Sequence, residues 1–315
     1  MQYLCPRSHY DLVSEIHPHF VQQTAVAFSR LPERPYAYSQ LDIDSESFEG
    51  LALSEMSNVA KTIMKDTPGY RPEMTNDEIM SRLDPETADL LMGALHLEHL
   101  CIGNFDRFGK RTFFFGRELT SVLADVEPDV SVERIRLQAP CVMFVFDSQQ
   151  MRNALYAILG ETAPVDGAVS VYLMDYRLDE NRFLSATAFH TDKRGIHGQV
   201  QRIIPLRVGS SVTQALKSGL AEDPGFPFTG SATAPKALLA RIVANAVVYL
   251  TSKDADITPG LHKPGSNVSA KELRRIQRST TTLEYSHAGG WLTPGSRHTG
   301  VWVTDEEDNP TLALS

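Results

Sequence analysis

His190-Thr191-Asp192 closes a run that reads as a β-strand. A His-x-Asp pair on a strand end, joined by a distant histidine such as His262, His287 or His298, is one way to build a two-histidine, one-carboxylate iron site. The plainer reading is a loop histidine next to a turn aspartate. His96-Leu97-Glu98-His99 lies in a leucine-rich helix. Zinc-protease helices space their two histidines four apart, with the glutamate directly after the first. Here the histidines are three apart and the glutamate is displaced, which fits a core helix with a polar flank. Asp147, Asp166, Asp175 and Asp179 fall near strand ends. Paired carboxylates there can hold a metal, although acids are also common in turns. The phosphate-loop, dinucleotide and nucleophile-elbow patterns do not occur. The three cysteines, Cys5, Cys101 and Cys141, are far apart and form no Cys-x-x-Cys, so neither a zinc knuckle nor a disulfide framework is suggested. No catalytic set, metal-ligand set or cofactor motif emerges, and the weight moves toward a binding protein rather than an enzyme.

The C-terminal segment is the most unusual stretch. Arg274, Arg275 and Arg278 lie within about one and a half turns of an expected helix. Trp291, Arg297 and Trp302 follow, and both tryptophans of the chain are therefore here. Guanidinium forks, imidazoles and indoles together suit RNA, through phosphate contact and stacking. The same residues suit a protein hot spot. A third reading has the tryptophans anchoring a C-terminal hairpin onto the core with the arginines outside. Residues 101–116 mix basic residues with five phenylalanines, which could stack bases or bury their rings against a helix; packing is favoured.

These residues need a scaffold, and its outline is readable. Leu12, Val13, Ile16, Phe20, Val21 and Phe28 keep a helical spacing that Pro18 interrupts. Ser47 is placed to cap a helix over about 48–65. Asp84-Pro85-Glu86 is a helix start, followed by Leu90, Leu91, Leu95, Leu97 and Leu100. A further helix is expected over 117–125. From residue 133 the texture becomes that of strands. The segments 141–146, 169–174, 182–190 and 200–208 carry branched and aromatic residues, with a helix over 149–159 ended by Gly160. Asp179-Glu180-Asn181 reads as a hairpin turn, and an antiparallel meander follows. Helices over 211–220 and 235–251, a loop over 252–270, a basic helix near 269–278 and strands near 281–285 and 299–304 complete the outline. The expected fold is α+β: a mostly helical region over 1–130, then over 131–315 a mainly antiparallel central sheet, further helices and a small, basic, hairpin-like segment.

The chain has 315 residues, enough for one large domain or two ordinary ones. Hydrophobic residues make up 42%, sufficient for a real core. The net charge of −9 argues against a surface coated for sequence-independent phosphate binding. Residues 1–130 hold 21 acids against 11 lysines and arginines, whereas 263–298 hold six basic residues against two acids. The start has no signal-peptide pattern and no run of about 18 apolar residues occurs, so a cytoplasmic protein is expected and no membrane partner.

Three blocks, in order, resemble a phage and plasmid family that includes the second-described type V-A anti-CRISPR, an inhibitor of Cas nuclease production. The first runs from Leu137 to Asp147, the second from Ile242 to Asp256, and the third is the Arg-Arg-x-Gln segment followed by Gly290-Trp291, Arg297 and Trp302. The likeness covers residues 130–303 in patches. This chain departs from the pattern at Gly290, where the family has histidine, in the diluted linker Thr280–Tyr285, and in the acidic tail Asp305–Asp308. The resemblance implies an antagonist of bacterial defence, working in the host cytoplasm without a cofactor or active site of its own. Its partner would be a host defence protein or a nascent Cas polypeptide on the ribosome, with the encoding mRNA lowered and RNA reached through the basic C-terminal segment. Arg274, Arg275, Arg278, Trp291, Arg297 and Trp302 would form the interaction surface. The competing readings are a structural or accessory phage protein and a metal-dependent hydrolase or nuclease.

Overall fold

The computed structural model describes residues 7–29, 31, 35, 69–71, 73–75, 78–79, 81–178, 180–192, 195–221, 233–252, 255–260, 285–288, 300–304 and 310–314. The expected helices over 48–65 and 269–278 lie outside them. Helix α1 spans His9–Ile16 and starts at a capping box: the Ser8 hydroxyl accepts from the Asp11 N–H, and the Asp11 carboxylate accepts from the Ser8 N–H. Pro18 opens α2, Pro18–Ser29, so the interruption expected at that proline is a break between two helices. Helix α3, Pro85–Arg107, lies against α2 at Gly103, where an added Cβ would stand 2.3 Å from the Phe28 ring. The Arg107 guanidinium donates to the Phe28 and Leu31 carbonyls and so satisfies the end of α2.

The sheet strands are β1 Thr112–Phe115, β2 Cys141–Phe146, β3 Ala168–Leu178, β4 Asn181–Asp192, β5 Gly195–Pro205, β6 Ile257–Gly260 and β7 Tyr285–Ala288. Their spatial order is β5-β4-β3-β2-β1-β7-β6. Strands β2 to β5 form the expected antiparallel meander, while β1 runs parallel to both β2 and β7. The phenylalanine-rich segment therefore spans the end of α3 and a strand in mid-sheet, and the three strand rings, Phe113, Phe114 and Phe115, are buried. Strand β6 falls inside the stretch expected to be loop; it pairs antiparallel with β7. A separate hairpin joins β8, Gly300–Thr304, to β9, Pro310–Leu314.

Alternation along the strands sorts side chains onto two covered faces. Phe113, Phe115, Val142, Phe144, Phe146, Val169, Val171, Leu173, Leu184, Ala186 and Ala188 face one core. It is closed by α4 Arg117–Asp125, α5 Gln149–Leu159, α6 Val212–Ala221 and α7 Thr233–Thr251. Phe114, Met143, Val145, Tyr172 and Phe189 face the other core, closed by α1 to α3. Helix α7 is apolar on nearly all sides because it is buried on nearly all sides. No helix among the described residues is long and apolar enough to cross a membrane.

Candidate functional site

Among the described residues, His190, His99, Asp147 and Asp175 have structural partners, whereas His262, His298 and Asp179 lie outside them. His190 is fully buried; its Nδ1 lies 2.9 Å from the Tyr156 hydroxyl and its Nε2 3.1 Å from the Asp166 carbonyl. Both ring nitrogens are engaged, which leaves none for a metal. Gly167 makes this close approach fit: its φ is +94°, and a Cβ there would fall 2.4 Å from His190 Nε2. Asp147 lies between the guanidiniums of Arg117 and Arg152. Arg152 is buried and donates also to the carbonyls of Gly167 and Val165 and to Gln149 Oε1. His99 is buried against Phe20 and its Nδ1 contacts the Leu95 carbonyl; burial pushes its pKa down to about 4. Among the described residues no group of three or more His, Cys, Asp or Glu could hold a metal ion.

A second buried histidine ties α1 to the sheet. His9 stacks on Phe189 at 4.0 Å, its Nδ1 lies 2.9 Å from the Tyr172 hydroxyl, and its backbone N–H donates to Ser170 Oγ. Burial pushes the Tyr172 phenol well above its ordinary range, so it stays protonated. Glu98 Oε1 stands 3.0 Å from His9 Nε2, out of line for a hydrogen bond. Cys101 and Cys141 are buried thiols nearby, and burial pushes Cys101 up to about 12.

An open site lies at the other end of the meander. A cleft of about 920 Å³ is bounded by the β3–β4 turn, the end of β5 with the loop after it, and the short 3₁₀ turn Val132–Arg134. Four arginines line it: Arg136, Arg177, Arg182 and Arg207. Leu137, Phe183, Pro205 and Val208 provide apolar lining, and Val208 is 91% exposed. Arg182 is fixed: it grips Asp175 with two nitrogens and also donates to the Ile135 carbonyl. Arg177 stands directly opposite Arg182 in the β3–β4 ladder. Glu133 accepts from the Ser131 hydroxyl and from the Gly209 N–H at 2.9 Å; the Gly209 N–H, with its own backbone N–H, holds its carboxyl below the usual range. Of the three acids among the described lining residues, Asp175 and Glu133 are thus committed to the walls, and Glu180 is exposed on the rim. Arginine beside apolar and aromatic surface is the composition of a protein-binding hot spot.

Strand β5 leads into this cleft through Pro205. It is the outer strand of the sheet and, among the described residues, pairs only with β4. No local motif marks the cleft, because its arginines come from four separate segments. The like-charge pair across a readable hairpin was the available signal.

Of the six residues expected to form an interaction surface, Arg274, Arg275, Arg278, Trp291 and Arg297 lie outside the described residues. Trp302 is placed. It packs on the core under β8 and its indole donates to Asn245 Oδ1 at 2.8 Å. The Asn245 amide in turn donates to the carbonyls of Leu123 and Val126, both at 2.7 Å. Asn245 belongs to the second block of the resemblance and Trp302 to the third. The first block, β2, shares their core. The described parts of the three blocks, β2, α7 and Trp302, therefore pack together.

No family model matches this chain, and no curated protein sequence matches it. Among solved structures, it is similar to the crystal structure of AcrVA2, with 14% identity over 86% of this chain and 94% of that chain, at a TM-score of 0.41. At that identity and score the similarity assigns no activity.

Proposed function

We propose that this chain is an anti-CRISPR-like antagonist of bacterial defence that works by binding a polypeptide, mature or nascent, and not by turnover. The observation that carries the binding half of this reading is the outer strand β5 running into an arginine-lined, partly apolar cleft. Peptides commonly bind an exposed sheet edge, where main-chain bonds supply affinity and adjoining pockets supply specificity. The defence half rests on the three sequence blocks. In this reading the target is a Cas nuclease recognised during synthesis, and its mRNA falls as a consequence. Arg274, Arg275, Arg278, Trp291 and Arg297 would provide the link to RNA, while Trp302 holds the hairpin that follows them.

The test is capture of tagged protein from a bacterial host carrying a type V-A system, with and without ribonuclease and puromycin, read by mass spectrometry and RNA sequencing. Ribosomes with one enriched mRNA, lost on puromycin treatment, is the expected result. A protein partner insensitive to both treatments would keep the binding role and remove the mRNA step. Recovery of the chain alone would overturn the reading.

A further inference from the structure

We infer that the outer edge of β5, which among the described residues pairs with β4 alone, takes an extended polypeptide antiparallel to it, and that the arginine cleft reads an acidic side chain at the N-terminal end of that polypeptide. This rests on the polypeptide-binding reading above and specifies its site and ligand chemistry.

The ladder fixes which backbone groups are available. Phe183 pairs with Pro205 and Leu184 with Ile204, and the Leu206 N–H donates to the Arg182 carbonyl at 2.8 Å. Hydrogen-bonded and non-bonded pairs alternate along an antiparallel ladder. Leu206, Ile204, Arg202 and Val200 therefore turn their backbone groups toward β4, and Pro205, Ile203, Gln201 and Gln199 turn theirs outward. Pro205 has no N–H, so Ile203 carries the last outward donor before the cleft. At the other end the register shifts opposite Phe189 and His190, and this bulge ends the regular edge. The result is a short, straight pairing edge over 199–205, bracketed by the bulge and the proline.

The end of that edge decides polarity. An antiparallel partner has its N-terminal end at Pro205, next to the cleft. Antiparallel addition extends the order already set by β2 to β5. Arg136, Arg177 and Arg207 are exposed there, and the acids Asp175 and Glu133 are held by their own partners. In a chain of net charge −9, this is a place where a carboxylate meets arginine and where an ammonium meets the Arg177–Arg182 pair.

The test uses the whole protein and two N-acetylated, fluorescein-labelled synthetic peptides. One begins with two glutamates followed by six alternating threonines and valines; the other begins with two lysines and is otherwise identical. The glutamate peptide is expected to bind about tenfold tighter or more, and Arg136→Glu with Arg207→Glu should remove that preference. In the unmodified protein, the Gln201 and Ile203 amides should gain protection from hydrogen exchange when the peptide is added, a readout that needs no variant. Ile203→Pro should abolish binding of both peptides. Equal affinity for the two peptides, or binding without protection at Gln201 and Ile203, would overturn the inference. So would protection that rises with protein concentration alone, which would assign the edge to a second copy of this chain. If neither peptide binds while capture from cells recovers a defence polypeptide, this site is wrong and the proposed function stands.

Discussion

The two ends of the meander use the same residue types to opposite effect. At the end holding Phe146, Ala168 and Thr191, Arg152 is 3% exposed and its terminal nitrogens are engaged by Asp147, Gln149 and two carbonyls. His190 is likewise saturated by Tyr156 and Asp166. At the end holding Cys141, Leu178 and Asn181, one arginine is fixed by Asp175 and three others stand exposed around a cleft. The lesson is that burial, not residue type, separates a structural charge from one exposed to solvent.

Breaking the closed end should show the largest effects. Arg152→Met leaves buried carbonyls of Gly167 and Val165 without their donor, and should cost about 3 kcal/mol in urea unfolding. A loss below about 1 kcal/mol would mean that this end is not held by Arg152. Acidification acts on the α1–α3 face through His99. Burial holds the folded-state pKa of His99 near 4, below the unfolded value of about 6.5, so the unfolded chain binds the extra proton between these values. Stability should be complete above pH about 6.5 and fall by roughly 2–3 kcal/mol as pH drops toward 4, and His99→Gln should flatten that fall. Gly167→Ala forces a side chain into a left-handed position against His190 and should cost about 2 kcal/mol, seen as a lower Tm. Arg136→Glu with Arg207→Glu at the open end should move stability by no more than about 0.5 kcal/mol while removing selectivity for an acidic peptide.

Much of the scaffold was legible because local rules and tertiary packing agree there. Phe183 and Phe189 on one face of β4, with Leu184, Ala186 and Ala188 on the other, read as a two-sided buried strand, and both faces are covered. Pro18 and Gly160 mark helix ends for backbone reasons that need no context; Gly160 takes φ +75° as the cap of α5. Strand β6 was not legible, since Ile257-Thr258-Pro259-Gly260 carries loop residues and is a strand only through pairing with β7. The parallel placement of β1 was equally hidden, because sequence alternation does not name a strand's neighbours. The candidate site was the least legible part. Arg136, Arg177, Arg182 and Arg207 share no spacing, and only the β3–β4 turn and the end of β5 bring them together. His190 invited a catalytic reading because sequence displays an imidazole but not the Tyr156 hydroxyl that occupies it.

The most direct measurement is a hydrogen-exchange map of the full-length protein with and without the polypeptide captured from the bacterial host. The account predicts new protection along 199–205 and in the 205–208 loop, with the closed end around Asp147 and Gly167 unchanged. Protection at the closed end, with the β5 edge unaffected, would contradict it.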